Sequence, residues 1–200
     1  MTTIVAAAVL GVTVGAASAG RLSLSSQSFR AVWSEMTFNG NPCEIILEGT
    51  FHSRTFRKVA GLLIGSITRV TIVEATCRRI TPLAVSLPWS IQYEGFTGTL
   101  PNITTIRAKI IGLSILMRDV EFFGAPNECL WLTTEGHPLR IEIVRAAGGT
   151  LTSVRPTPIQ PAIPWLFELR RGLCDDLLIG ESSESLTVLG AATLITMLLI

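Results

Sequence analysis

Between Leu83 and Tyr93 every second residue is large and apolar: Leu83, Val85, Leu87, Trp89, Ile91 and Tyr93 share one face, with mostly small or polar residues on the other. A period of two belongs to a β-strand, because a helix would scatter these residues around its circumference. Pro88 lies mid-run and cannot donate to a ladder, so the segment is expected at a sheet edge, with a bulge, or divided into two strands. Phe29, Ala31 and Trp33 alternate likewise, and the phase then slips to Met36 and Phe38, which predicts a bulge near Ser34 and Glu35. Asn39-Gly40 follows at once. That dipeptide between alternating runs predicts a hairpin, with Cys43, Ile45, Leu47 and Phe51 on the return strand.

The same reading assigns strands to Ile103–Met117, Glu128–Thr134, Leu139–Val144 and Gly149–Val154, separated by Gly, Pro and Asn clusters. Lys58–Val70 is ambiguous, since Val59, Leu62, Leu63 and Ile67 would also line a helix face. Gly61 and Gly65 weaken that helix, and the β-branched run from Val70 to Val73 favours a long strand. Pro156–Pro164 cannot pair as a central strand and is expected as an extended crossing. Many short strands at regular spacing predict an all-β fold, a single-domain antiparallel sandwich or partly closed barrel.

Met1–Ala19 carries no charged side chain, runs apolar from Ile4 through Val14 and closes on Ala17-Ser18-Ala19 before Gly20. Small residues at 17 and 19 suit a signal peptidase, so residues 1–19 are expected to be a signal peptide and 20–200 a single β-rich domain. No Lys or Arg precedes the apolar run, so an N-terminal strand is the competing reading. The remaining chain of about 180 residues is long enough for one sizeable core. Its 16 basic and 15 acidic residues give a net charge of +1, without the basic excess that nucleic acid demands. Charged residues make up 16% and apolar ones 48%, a balance that calls for a large core or some membrane contact.

Cys43, Cys77, Cys129 and Cys174 include no C-x-x-C pair. An even number in an exported chain implies two disulfides, and Cys43–Cys77 with Cys129–Cys174 keeps each bridge within one half of the chain. Four buried thiols are the competing reading. At the other end, Leu186–Ile200 has no charge, yet fifteen helical residues would reach only about 22 Å against a hydrocarbon core of roughly 30 Å. Gly190-Ala191-Ala192 divides the run, and Thr187, Thr193 and Thr196 favour strands, so a terminal hairpin is expected.

Leu24–Phe29 (LSSQSF) with Trp33, Leu47–Ser53 (LEGTFHS), Lys58–Gly61, Leu87-Pro88-Trp89 and Phe96–Ile103 together resemble a group of uncharacterised exported β-rich proteins of actinobacteria. The likeness covers most of the chain beyond residue 19, and its motifs carry no chemical signature. It implies export and one domain, and it implies no catalytic residue. Glu181–Ile200 departs from the Gly- and Thr-rich ending of that group.

Chemistry-bearing constellations are sparse. His52 and His137 have no second His, Cys or carboxylate at metal-ligand spacing, so neither a metal site nor a cofactor is expected. His52 beside Ser53 suggests a hydrolase, but strand neighbours point to opposite faces and no G-x-S-x-G elbow is present. Asp175-Asp176 suggests calcium against the plainer reading of a solvated turn. Glu44, Glu48, Glu94, Glu121 and Glu142 would need to converge in a cleft for glycoside hydrolysis. Trp33, Trp89, Trp131 and Trp165 could stack on sugars but fall in phase with apolar neighbours, which favours core packing. Arg78-Arg79 and Arg170-Arg171 could touch anionic wall polymers, or form an ordinary solvated rim. The chain therefore reads as an exported structural or ligand-binding protein at or beyond the cell envelope, more a non-enzyme than an enzyme. Two rivals stand beside it: a membrane-associated protein, by a C-terminal tether or as a small barrel, and a hydrolase without a local motif.

Overall fold

The chain folds as antiparallel β-structure, and several of its strand boundaries have a local cause in the sequence. The computed structural model describes residues 20–38, 41–73, 77, 80–84, 86–122, 125–156, 166–171, 178–179, 186–191 and 193–200. Met1–Ala19, most of the Pro-rich stretch, Arg78-Arg79, Cys174 and Asp175-Asp176 lie outside the described residues, as do the side chains of Cys129 and Trp131. In chain order the strands are β1 (Arg21–Leu24), β2 (Ser28–Phe38), β3 (Asn41–Phe51), β4 (Thr55–Arg57), β5 (Leu63–Val73), β6 (Ile80–Ala84), β7 (Trp89–Thr99) and β8 (Asn102–Ile111). They continue with β9 (Ser114–Phe122), β10 (Ala125–Leu132), β11 (Leu139–Arg145), β12 (Leu151–Pro156), β13 (Leu166–Arg171), β14 (Leu178–Ile179) and β15 (Met197–Leu199).

The largest sheet has the order β12-β11-β8-β7-β5-β3-β2-β14. It curls into a nearly closed barrel whose inward positions alternate as period two requires: Phe29, Ala31 and Trp33 on β2, Cys43, Ile45, Leu47 and Phe51 on β3, and Trp89, Ile91 and Tyr93 on β7 are all buried. The expected slip on β2 is present, because the β2–β3 register shifts between Trp33 and Met36. Phe38 pairs with Asn41 across adjacent antiparallel strands, while Asn39-Gly40, the turn expected from the sequence, lies outside the described residues. Where β3 bends, the register against β5 shifts at Glu48/Gly49. A Cβ on Gly49 would collide with the Ser66 carbonyl and stand 2.6 Å from the Phe29 ring, so the bend requires glycine there.

The seam between β2 and β12 is closed by the C-terminal segment. Thr187 bridges Arg30 of β2 on one side and Leu194 on the other, and Thr196 bridges Thr150 at the start of β12. Hydrogen bonds from Arg30 N to Thr187 O (2.8 Å), Val188 N to Thr193 O (2.8 Å) and Leu151 N to Ile195 O (2.8 Å) complete the span. This is the terminal hairpin expected from the sequence, turning at Leu189–Gly190. Leu186, Ile195 and Met197 enter the core, whereas Leu198 and Ile200 face outward. β15 then pairs with β1, and β1 with β4, in a three-stranded sheet that places Leu22, Leu24 and Phe56 in the same core.

Two expected strands divide and cross between sheets. Ile103–Met117 is β8 and β9, because Gly112 at φ 79° turns the chain and the buried phase passes from Ile106, Ala108 and Ile110 to Leu113 and Ile115. The Leu83–Tyr93 run divides around Pro88 into β6 and β7, and Leu87, expected on the core face, is 37% exposed because the backbone turns at Ser86. β6 and β9 belong to a four-stranded sheet of order β13-β10-β9-β6, a bent continuation of the β7–β8 pairing. Ser114 and Thr133 are the buried polar residues recorded among the described residues. Both lie at the crossing, where Thr133 Oγ1 accepts the Leu113 N–H at 2.9 Å. Lys58–Val70 contains no helix: β5 begins at Leu63, and Lys58–Leu62 is a turn and its flanks.

Candidate functional site

β3 ends at Phe51 and the chain bends through His52–Arg54 into β4, while β5 starts beside it with His52 N donating to Ile64 O at 3.0 Å. At this end of the barrel an open groove of about 540 Å³ is lined by Arg21, His52, Ser53, Thr55, Phe56, Arg57 and Leu62–Ile64. Phe56 and Ile64 are buried and form its floor. Arg21, His52, Ser53, Arg57 and Leu63 are exposed at its rim.

Arg21 and Arg57 are direct cross-strand partners in the β1–β4 pair, and both face solvent. Like charges opposite each other on a sheet oppose folding; for unit charges about 5 Å apart in water the repulsion is about 0.8 kcal/mol. Among the described residues neither guanidinium joins an ion pair. Other arginines on the barrel do: Arg30 and Arg69 flank Glu48 at 3.6 Å each, Arg140 meets Glu94 at 2.9 Å, and Arg155 meets Glu142 at 3.0 Å. Among the described residues no carboxylate lines the groove. The cause is legible in the sequence, because the 25 residues from Gly49 to Val73 hold Arg54, Arg57, Lys58, Arg69 and His52 without a single Asp or Glu. Lys58 lies over the Phe96 ring at 5.6 Å, outside the groove lining.

The geometry corrects the expectation that His52 and Ser53 point to opposite faces. They occupy a bend, where strand alternation does not apply, and both line the groove. No hydrogen bond joins their side chains; Ser53 Oγ accepts the Thr55 N–H at 3.1 Å. Among the described residues no base reaches the hydroxyl and no carboxylate stands behind the imidazole, the contacts that activate a nucleophile. His137 sits in the β10–β11 turn, its N–H directed at Thr134 O and Oγ1, each 3.2 Å away. Among the described residues no three His, Cys, Asp or Glu side chains gather to hold a metal ion.

The remaining sequence candidates are dispersed. Cys43 on β3 and Cys77 beyond β5 form a disulfide, their Cα atoms 4.5 Å apart. Cys129 lies on β10, and its pairing with Cys174 falls outside the described residues. Glu48, Glu94 and Glu142 are spread along the barrel wall in the ion pairs above rather than converging in a cleft. Trp33 and Trp89 are buried, 1% and 0% exposed, and present no face to a sugar. Inside the barrel a cavity of about 30 Å³ is lined entirely by apolar side chains, among them Trp33, Leu47, Ile91 and Ile143. Arg21 and Arg57 escaped the sequence reading because neither is part of a local motif; the acid-free stretch from Gly49 to Val73 was the available signal. No family model, curated protein or solved structure matches this chain.

Proposed function

We propose that this chain is an exported binding or structural protein working at or beyond the cell envelope, and that it meets its ligand on the outside of the barrel, in the basic groove. The observation that carries the reading is the close packing of the barrel interior among the described residues. A cavity of about 30 Å³ admits no organic ligand, whereas small-molecule sites occupy roughly 300–1,000 Å³, a range that includes the 540 Å³ groove. Export is supported by the layout of Met1–Ala19 and by the Cys43–Cys77 disulfide, a bond that persists in oxidising compartments. Among the described residues no helix is long and apolar enough to cross a membrane. The barrel wall carries Arg30, Glu48, Arg69, Arg140 and Glu142 outward and apolar side chains inward, the reverse of the pattern in a lipid-facing barrel.

The test is expression of the full chain followed by fractionation, intact-mass analysis and co-sedimentation of the exported protein with envelope preparations. The expected result is a chain beginning at Gly20 that sediments with the envelope material. A protein that keeps Met1–Ala19 and stays in the cytoplasm would overturn the reading, whereas an exported protein that stays in the supernatant would place it beyond the envelope.

A further inference from the structure

We propose that the groove binds a phosphoryl group held between the guanidinium groups of Arg21 and Arg57, with the rest of the ligand lying along Leu62 and Leu63. This names the ligand class for the outward-facing site of the preceding section and rests on that reading. Three observations converge. The two arginines are placed in register, face to face across β1 and β4, with no carboxylate to satisfy either among the described residues, while Arg30, Arg69, Arg140 and Arg155 are neutralised elsewhere on the same barrel. The surrounding chain from Gly49 to Val73 carries four basic side chains, Arg54, Arg57, Lys58 and Arg69, and no acid, a local excess of basic residues in a protein that is near neutral overall. The groove also supplies polar side chains, the hydroxyls of Ser53 and Thr55 and the His52 ring, above an apolar floor of Phe56 and Ile64.

The choice of anion follows from the geometry of the donors. A planar carboxylate gives each of two guanidinium groups a single oxygen, as Glu48 does for Arg30 and Arg69, whereas a tetrahedral phosphoryl group carries more charge and offers oxygens in several directions, so it can engage two forks on opposite strands together. Binding would also remove the repulsion that the Arg21–Arg57 pair carries in the free protein. Leu63 is 45% exposed beside these charges, which suits a ligand with an apolar or sugar portion next to its phosphate.

The experiment is titration of the folded chain with pyrophosphate and glycerol 3-phosphate, followed by amide chemical shifts, together with sedimentation against phosphatidylglycerol and phosphatidylcholine vesicles. Shifts at Arg21 and His52–Arg57 are expected, and Arg21→Gln or Arg57→Gln should each weaken binding by about tenfold, as loss of one charge-assisted pair predicts. Arg155→Gln, which alters the same net charge on the barrel wall, should leave the affinity unchanged. Thermal unfolding of each variant establishes that it is folded. Equal weakening by Arg155→Gln, or no response to either soluble compound, overturns the clamp, as does binding to phosphatidylglycerol vesicles without any response to the soluble compounds. Response to the soluble compounds supports the clamp; added binding to phosphatidylglycerol but not phosphatidylcholine identifies a lipid headgroup as the source, and no vesicle binding identifies a free or polymeric phosphate. A protein that sediments with envelope material yet ignores phosphoryl compounds defeats the clamp and leaves the envelope reading standing. One that binds pyrophosphate but keeps Met1–Ala19 and stays in the cytoplasm does the reverse.

Discussion

The indole Nε1–H of Trp33 on β2 donates to the main-chain carbonyl of Val154 on β12 at 3.2 Å, joining two strands 121 residues apart. Those strands flank the seam that the C-terminal hairpin spans, so one buried side chain ties across the gap from inside while Thr187 and Thr196 bridge it through the backbone. The bond also explains why an indole stands at position 33: its ring fills the interior and its polar edge reaches the far strand.

Trp33→Phe keeps an aromatic ring but removes this donor. The expected cost is about 1–3 kcal/mol of unfolding free energy, the range for withdrawing one partner of a buried hydrogen bond. Urea denaturation measures it. An unchanged midpoint would show that closure of the seam does not depend on the bond.

Non-reducing peptide mapping should recover Cys43 linked to Cys77, the pair whose Cα atoms stand 4.5 Å apart between β3 and the end of β5. With the cysteines 34 positions apart, the bridge is expected to restrict the unfolded state by about 4 kcal/mol in the chain-entropy model, so Cys43→Ala/Cys77→Ala should lower stability by a comparable amount. A peptide joining Cys77 to Cys129 would overturn the pairing.

Much of this architecture is written locally. The alternation at Cys43, Ile45, Leu47 and Phe51, the bulge after Trp33 and the break at Pro88 all follow from neighbouring residues, because strand period and proline chemistry act over a few positions. What the sequence did not disclose is partner choice. Nothing in Ile103–Met117 says that its two halves join different sheets, apart from the change of buried phase at Gly112. Likewise the contact of Arg21 with Arg57 depends on β1 docking against β4, an arrangement set by Leu22, Leu24 and Phe56 entering a common core. The candidate site was hidden for that reason: its two arginines are 36 positions apart in sequence and adjacent only through the register.

The Glu135 carboxylate accepts hydrogen bonds from Gln92 Nε2 at 2.8 Å and Lys109 Nζ at 3.4 Å, and chiefly the Gln92 contact holds its pKa below the usual carboxylate range. A folded-state pKa below the unfolded value contributes stability above the unfolded value and loses it as pH falls through the folded one. Glu135 is fully exposed, so the effect on stability is slight and the titration itself is the readout. Carbon-detected NMR should give Glu135 a lower midpoint than an unpartnered glutamate, and Gln92→Ala should move it upward. A midpoint unaffected by Gln92→Ala would remove the hydrogen bond as the cause.

Leu186–Ile200 looks like a membrane anchor in composition and behaves as a wall segment in the fold, and truncation separates the two. Ending the chain after Gly190 removes Ile195 and Met197, which are 0% and 1% exposed, and leaves Leu22, Leu24 and Leu151 uncovered. It also strips the hydrogen bonds that cover the edge of β12, creating an open strand next to exposed apolar surface. Burial of the two lost side chains is worth roughly 1.5–3 kcal/mol each, a large share of the stability of a domain this size. The truncated protein should therefore aggregate, and Ile195→Ala, which leaves the backbone intact, should cost about 2–5 kcal/mol while the protein stays folded. Scattering and urea unfolding measure the two outcomes. A truncated chain that stays monomeric and folded while moving from the membrane fraction to the supernatant would make the segment an anchor, and the reading of this protein as a water-facing barrel would fall with it.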